Sequence, residues 1–98
     1  MAATATRTIK PFALGQLVAT PGAIAAMREA GQSPVVFLRR HIRGDWGDVC
    51  KEDWRLNDEA VENGTRLLSA YETFHGVKLW VITEADRSST CLLLPDEY

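Results

Sequence analysis

Between Arg39 and Trp54 the chain reads RRHIRGDWGDVCKEDW, a run that holds one histidine, three aspartates, one cysteine and two tryptophans. His41, Asp45 and Asp48 form the pattern H-x3-D-x2-D, with Cys50 close behind. Imidazole and carboxylate are ordinary metal ligands, and a helix end feeding a loop would bring such a set together. The run matches no established metal motif, and each aspartate also has a structural use: Asp45 in a turn, Asp48 as a helix cap. Cys50 lies near the expected start of a helix, where a thiolate is favoured, and would serve as a nucleophile if His41 or His75 reached it. Its alternative is a small packed thiol. Neither G-x-S-x-G nor a glycine-rich phosphate cradle occurs, so no motif supports serine hydrolysis or nucleotide binding, and no cofactor is implied.

Charge is distributed unevenly around this run. Residues 28–43 carry Arg28, Arg39, Arg40 and Arg43 against Glu29 alone. Residues 45–62 carry Asp45, Asp48, Glu52, Asp53, Asp58, Glu59 and Glu62 against Lys51 and Arg55. The arginines suit phosphate or another anion through bidentate contacts, or they pair with the acidic segment beside them. The acidic segment, with Trp46 and Trp54 in it, suits a basic protein partner: tryptophan is a common interface anchor and clustered charge steers encounter. Both tryptophans buried in the core is the competing reading. A net charge of −2 argues against a general nucleic-acid binder, though not against a locally basic face.

The elements that must hold these residues follow from periodicity and punctuation. Phe12–Ala19 alternates as a short first strand. Thr20 caps and Pro21 opens a helix that ends at Gly31, with Ala23, Met27 and Ala30 inward and Ile24 beside them. Ser33, Pro34 and Gly44 bracket a second helix whose inward positions by spacing are Val35, Leu38 and Ile42, while His41 and Arg43 lie in its last turn, where positive charge suits the dipole. GDWGD is read as punctuation: Gly44 closes that helix, Asp45-Trp46-Gly47 turns, and Asp48 caps a third helix over residues 51–63. That helix is thinly apolar and prone to a break near Asn57-Asp58; Trp54, Val61 and either Leu56 or Ala60 face inward. After Gly64 the period becomes two, predicting strands over residues 65–73, 77–85 and 89–95, with turns at Phe74-His75-Gly76 and Ala85–Ser89 and a polar tail at the end. The middle strand is apolar on both faces and therefore central.

The expected architecture is α+β: a short N-terminal strand, two to three helices, then a three-stranded antiparallel meander with the helices packed on one face. Residues 1–11 are expected to be a flexible segment and 12–98 a single domain; ninety-eight residues leave room for no second core. No apolar run exceeds five residues (Ala23 to Met27), and the N-terminus has no signal-like h-region, so the chain is expected in the cytosol, away from membranes, with Cys50 and Cys91 as thiols. A sheet edge left uncovered would be a route to dimers, and oligomeric state is otherwise open.

LGQLVATPGA, RHIRGDWGDV, GTRLLSAYET and GVKLWVITEADRSSTCLLLPDEY resemble a family of small bacterial proteins of about a hundred residues carried on plasmids and integrated mobile elements. The resemblance covers most of the chain after Gly15. It implies a setting, mobile-element cargo, in which small non-enzymatic inhibitors of host defence are common; it brings no activity, ligand or catalytic residue. The leading expectation is thus a non-enzymatic protein-binding module, with a restriction or CRISPR effector among its targets, using Asp45, Trp46, Asp48, Glu52, Asp53, Trp54 and Glu59. Two alternatives stand beside it. One is a small enzyme or metal binder centred on His41, Asp45, Asp48 and Cys50. The other is weak nucleic-acid contact through Arg28, Arg39, Arg40 and Arg43.

Overall fold

A computed structural model describes residues 9–98 of the chain. Along the chain come β1 (Gln16–Ala19), α1 (Pro21–Glu29), α2 (Pro34–Ile42), α3 (Lys51–Asn63), β2 (Leu67–Glu72), β3 (Lys78–Thr83) and β4 (Ser89–Leu93), and then a 3-10 turn at Pro95–Glu97. The protein is α+β. The expected meander is present as β2-β3-β4, but the sheet has four strands in the order β1-β4-β3-β2. β1 lies parallel to β4, from Gln16 beside Ser89 to Ala19 beside Leu92, so the sheet is mixed rather than a three-stranded antiparallel one. Residues 1–8 of the expected flexible segment lie outside the described residues; Ile9 and Phe12 pack against a buried cluster that contains Trp46 and Leu67. Among the described residues no helix is long and apolar enough to cross a membrane.

Register explains the layers. Ser69 faces Val81, Tyr71 faces Leu79 and Val81 faces Leu92, so these side chains share one face of the sheet. Leu79, Val81, Leu92 and Tyr71 form the main core with Ala23 and Met27 of α1 and Phe37 and Leu38 of α2. A second cluster joins Trp46 to Leu67 of β2 and to Ala60 and Val61 of α3. On the opposite face Ile82 and Leu93 are buried, and Tyr98 sets its ring edge-on to Trp80 at 5.8 Å.

The first strand is shorter than its alternation predicts because Gly15, at φ +68°, breaks the extended run before Gln16. α1 is capped as expected, Thr20 Oγ1 accepting from the Ala23 N–H at 3.1 Å. The C-terminal tail adds a second cap. The Glu97 carboxylate accepts from the Gly22 N–H at 3.1 Å, from the Leu94 N–H at 2.9 Å and from the Thr20 hydroxyl, so the last residues latch onto the start of the first helix. Those bonds, led by the one from Thr20, hold the Glu97 carboxyl below the usual range. α3 runs unbroken through Asn57-Asp58. Its N-cap is Cys50, with no side-chain cap bond, and not Asp48.

Asp48 is used differently. Its N–H donates to the Ala70 carbonyl at 2.7 Å, while the Ala70 N–H donates to the Trp46 carbonyl at 3.0 Å. Two residues back along β2, the Asn57 amide takes the place of a neighbouring strand: Nδ2 donates to Leu68 O at 2.8 Å and Oδ1 accepts from Leu68 N at 3.2 Å. The outer edge of β2 is therefore sealed by the Trp46–Asp48 corner and by Asn57, which removes a template for pairing with another chain. Gly47 makes the seal fit. Its φ is +77°, and a Cβ there would stand 2.0 Å from the Ala70 oxygen. Gly31 shares the left-handed conformation, φ +69°, but has nothing within 4 Å of such a Cβ. We predict that Gly31→Ala costs about 1 kcal/mol, the left-handed penalty alone. Gly47→Ala should cost about 3 kcal/mol or more, because the corner must leave the strand. Urea unfolding of the two variants checks this, and equal losses would contradict it.

Candidate functional site

The residues that looked chemical do not converge. His41 is fully buried and points into the sheet, where Nδ1 meets Ser69 Oγ at 2.6 Å and Nε2 meets Thr83 Oγ1 at 2.9 Å. Thr83 Oγ1 lies 2.7 Å from Thr90 Oγ1, and the Thr90 hydroxyl donates to the Leu14 carbonyl at 2.7 Å. Each hydroxyl has one proton, so the carbonyl at the end sets every direction. Thr90 gives its proton to Leu14, and Thr83 therefore gives its own to Thr90. His41 must then donate from Nε2, which leaves Nδ1 to accept from Ser69. The imidazole is the neutral Nε2–H tautomer. Burial, with a smaller effect from the Arg87 charge, pushes its pKa down to about 4. The expectation of a charged His41 favouring the α2 dipole is thus corrected: desolvation outweighs the dipole.

Ser69 and His41 stand at the separation a nucleophile and its base need. Ser69 is nevertheless fully buried, and the rings of Phe12 and Trp46 pack edge-on against the imidazole at 5.6 and 5.5 Å. No substrate atom reaches this pair without opening the core. Asp45 and Asp48 do not join His41 either, and among the described residues no group of three metal-ligating side chains gathers. Cys50 is exposed at the start of α3, away from the buried imidazole whose two nitrogens are already bonded.

The acidic segment is largely occupied by the chain itself. Asp45 receives Arg40 Nε at 2.7 Å and the Gly47 N–H at 3.1 Å. Arg40 also lies 4.5 Å over the Tyr71 ring, and the Tyr71 hydroxyl donates to the Asp45 carbonyl at 2.6 Å. Arg55 bridges Glu52, at 2.5 Å, and Glu59 on the exposed side of α3. Trp46, expected as a partner anchor, is fully buried and donates Nε1–H to Asp58 at 3.0 Å. Trp54 is half-buried against the second core cluster. The reason is topological: the corner that carries Trp46 is the seal on β2, so its large side chain fills the space beneath. Among the described residues Asp48, Asp53 and Glu62 keep carboxylates outside any ion pair.

A different surface emerges on α2. The expected inward set was Val35, Leu38 and Ile42; the buried set is Phe37, Leu38 and His41. The helix is rolled so that Val35 is 54% exposed, Val36 44% and Ile42 40%. Arg39 and Arg43 are exposed on the same side, since Val35, Arg39, Ile42 and Arg43 fall at i, i+4, i+7 and i+8. Ile24 of α1, expected beside the core, is also turned outward. With Met27, Arg28, Gln32 and Pro34 it lines a shallow depression at the N-terminal end of the stripe. Arg40 leaves the expected anion-binding trio because Asp45 holds it, whereas Arg39 and Arg43 have no ion pair among the described residues.

Periodicity missed this surface because it counts valine and isoleucine as inward and histidine as outward. The usable signal was the hydroxyl set Ser69, Thr83 and Thr90, three polar residues in otherwise apolar strands, which together needed one internal partner. Compared with known protein families, curated proteins and solved structures, the chain finds no match.

A neutral buried imidazole ties stability to pH. In the unfolded chain His41 takes up a proton near pH 6.5; in the folded protein it does so only near 4. Its contribution is complete above pH 6.5 and is lost as pH falls toward 4, by about 3 kcal/mol in all. Urea midpoints measured across this range for the protein and for His41→Gln should show that extra acid loss in the wild type only. Parallel profiles would contradict it.

Proposed function

We propose that the protein is a non-enzymatic protein-binding module that docks through the outward face of α2. One observation carries the reading: three β-branched aliphatic side chains, Val35, Val36 and Ile42, are exposed on the side of α2 that also carries Arg39 and Arg43, two arginines with no ion pair among the described residues. Leaving apolar side chains exposed forgoes their burial free energy, about 1.5–3 kcal/mol for a fully buried aliphatic residue, and a contiguous patch of them on a small domain is typical of an interaction site. Arginine interleaved with these aliphatic side chains favours a partner that sets carboxylates among its own apolar contacts. The depression beside Ile24 and Pro34 offers a seat for one partner side chain at the end of the stripe.

The resemblance to mobile-element proteins supports a bacterial defence effector as the class of partner. The surface chemistry then favours a particular mode. A mimic of DNA presents an array of anions, but here Asp45, Glu52 and Glu59 are held by Arg40 and Arg55, so that Asp48, Asp53 and Glu62 remain outside ion pairs among the described residues, while the outward face of α2 is cationic. Such a module would engage an acidic, non-catalytic face of the effector instead of its nucleic-acid groove. The same arginines bear on the nucleic-acid alternative: the three aliphatic side chains among them suit protein better than a phosphate backbone.

The test compares two faces of one molecule. Immobilised wild-type protein, Val35→Ser/Ile42→Ser, Arg39→Glu/Arg43→Glu and Asp48→Lys/Asp53→Lys/Glu62→Lys are exposed to the same bacterial lysate, and the retained protein is identified. The α2 variants should lose it, with affinity down about tenfold or more for the charge reversal. The acidic-face variant should keep it. Loss through the acidic-face variant alone would overturn the α2 assignment, and retention of nucleic acid alone would overturn the protein-binding reading.

A further inference from the structure

The two edges of the sheet are treated differently. β2 is closed by the Trp46–Asp48 corner and by the Asn57 amide. β1 is not closed. Its Gln16 N–H donates to the Ser88 carbonyl and the Thr20 N–H to the Leu92 carbonyl, both at 3.0 Å, so the even-numbered residues serve β4. By strand alternation the N–H and C=O groups of Leu17 and Ala19 point the other way, and no hydrogen bond reaches them among the described residues. Leu17 is 52% exposed and Val18 43%. The strand, QLVA, carries no charge and no proline, which are the usual guards of an open edge.

We propose that this edge pairs with the same edge of a second copy, giving a two-fold dimer with one continuous eight-stranded sheet. The register is set by the residues available. Antiparallel pairing about Val18 places Leu17 opposite Ala19 of the other copy, and Ala19 opposite its Leu17. Those are the residues with outward backbone groups, so four hydrogen bonds form. On the helix side of the sheet this sets a large side chain against a small one; on the other side the two Val18 side chains meet across the axis. The alternative register, Leu17 on Leu17, would require Gly15 to pair as well, and Gly15 is in the left-handed region at φ +68°. Self-pairing also suits the charge: an uncharged strand meets its symmetry mate without the like-charge repulsion a two-fold axis imposes on any ionised side chain. Four residues are few for a peptide seated alone, whereas a symmetric pair also brings together whatever flanks the strand in both copies.

Sedimentation of the full chain over a concentration series tests the proposal. The wild type should reach twice the monomer mass, and its Leu17 and Ala19 amides should exchange more slowly as the dimer fills. Leu17→Pro removes an outward N–H while sparing the bonds to β4, and Val18→Lys places two ammonium groups at the axis. Both should be monomeric with an unchanged circular dichroism spectrum. A wild type that stays monomeric at millimolar concentration would overturn the proposal. So would a dimer that persists in Val18→Lys, or one whose Leu17 and Ala19 amides exchange at the monomer's rate.

Discussion

The bonds from the His41 imidazole to Ser69 and Thr83 decide how the second helix sits on the sheet. Three hydroxyls on the helix-facing side of β2, β3 and β4 would be costly to bury without partners. The Leu14 carbonyl satisfies one end of the row and His41 the other, and the described residues contain no buried side-chain polar atom without a partner. With the imidazole fixed inward, Phe37 and Leu38 follow it into the core, and Val35, Val36 and Ile42 have only the outer side left. A polar requirement inside the molecule thus produces an apolar surface outside it.

The charged residues follow a similar division of labour. Arg40 is drawn onto Tyr71 and Asp45, which tightens the corner that seals β2. Arg87, at φ +61° in the β3–β4 turn, donates to the Ala60 carbonyl at 3.0 Å and the Thr65 carbonyl at 2.6 Å, so it caps the end of α3. Its guanidinium lies 5.7 Å from the Phe12 ring centroid, on the layer that covers His41. Arginines with structural partners become part of the frame. Arg39 and Arg43, which lack them among the described residues, are left to define the character of the α2 face.

Much of the frame was legible in the sequence because it rests on local chemistry. Thr20-Pro21, Ser33-Pro34 and Gly64 mark helix ends through backbone geometry that any context preserves, and the apolar Leu79–Ile82 run could only be a central strand. The α2 roll was not legible, because it depends on Ser69, Thr83 and Thr90, residues 28 to 49 positions away that become neighbours only after the sheet forms. The parallel place of β1 and the Glu97 latch are non-local for the same reason. GDWGD was read as a turn that starts α3 at Asp48; the chain does turn there, but Cys50 caps α3, and the use of Asp48 in an edge seal needed β2 beside it. The Trp46 anchor failed on that point: the side chain lies under the seal it belongs to.

The account stands on the protonation state and direction of one ring. Nitrogen-15 NMR of the uniformly labelled protein, following the His41 imidazole from neutral pH down to about 5, tests it directly. A protonated Nε2 and an unprotonated Nδ1 whose shifts stay constant over that range are the predicted result. An imidazole that titrates near its ordinary value of about 6.5, or one whose proton sits on Nδ1, would contradict it.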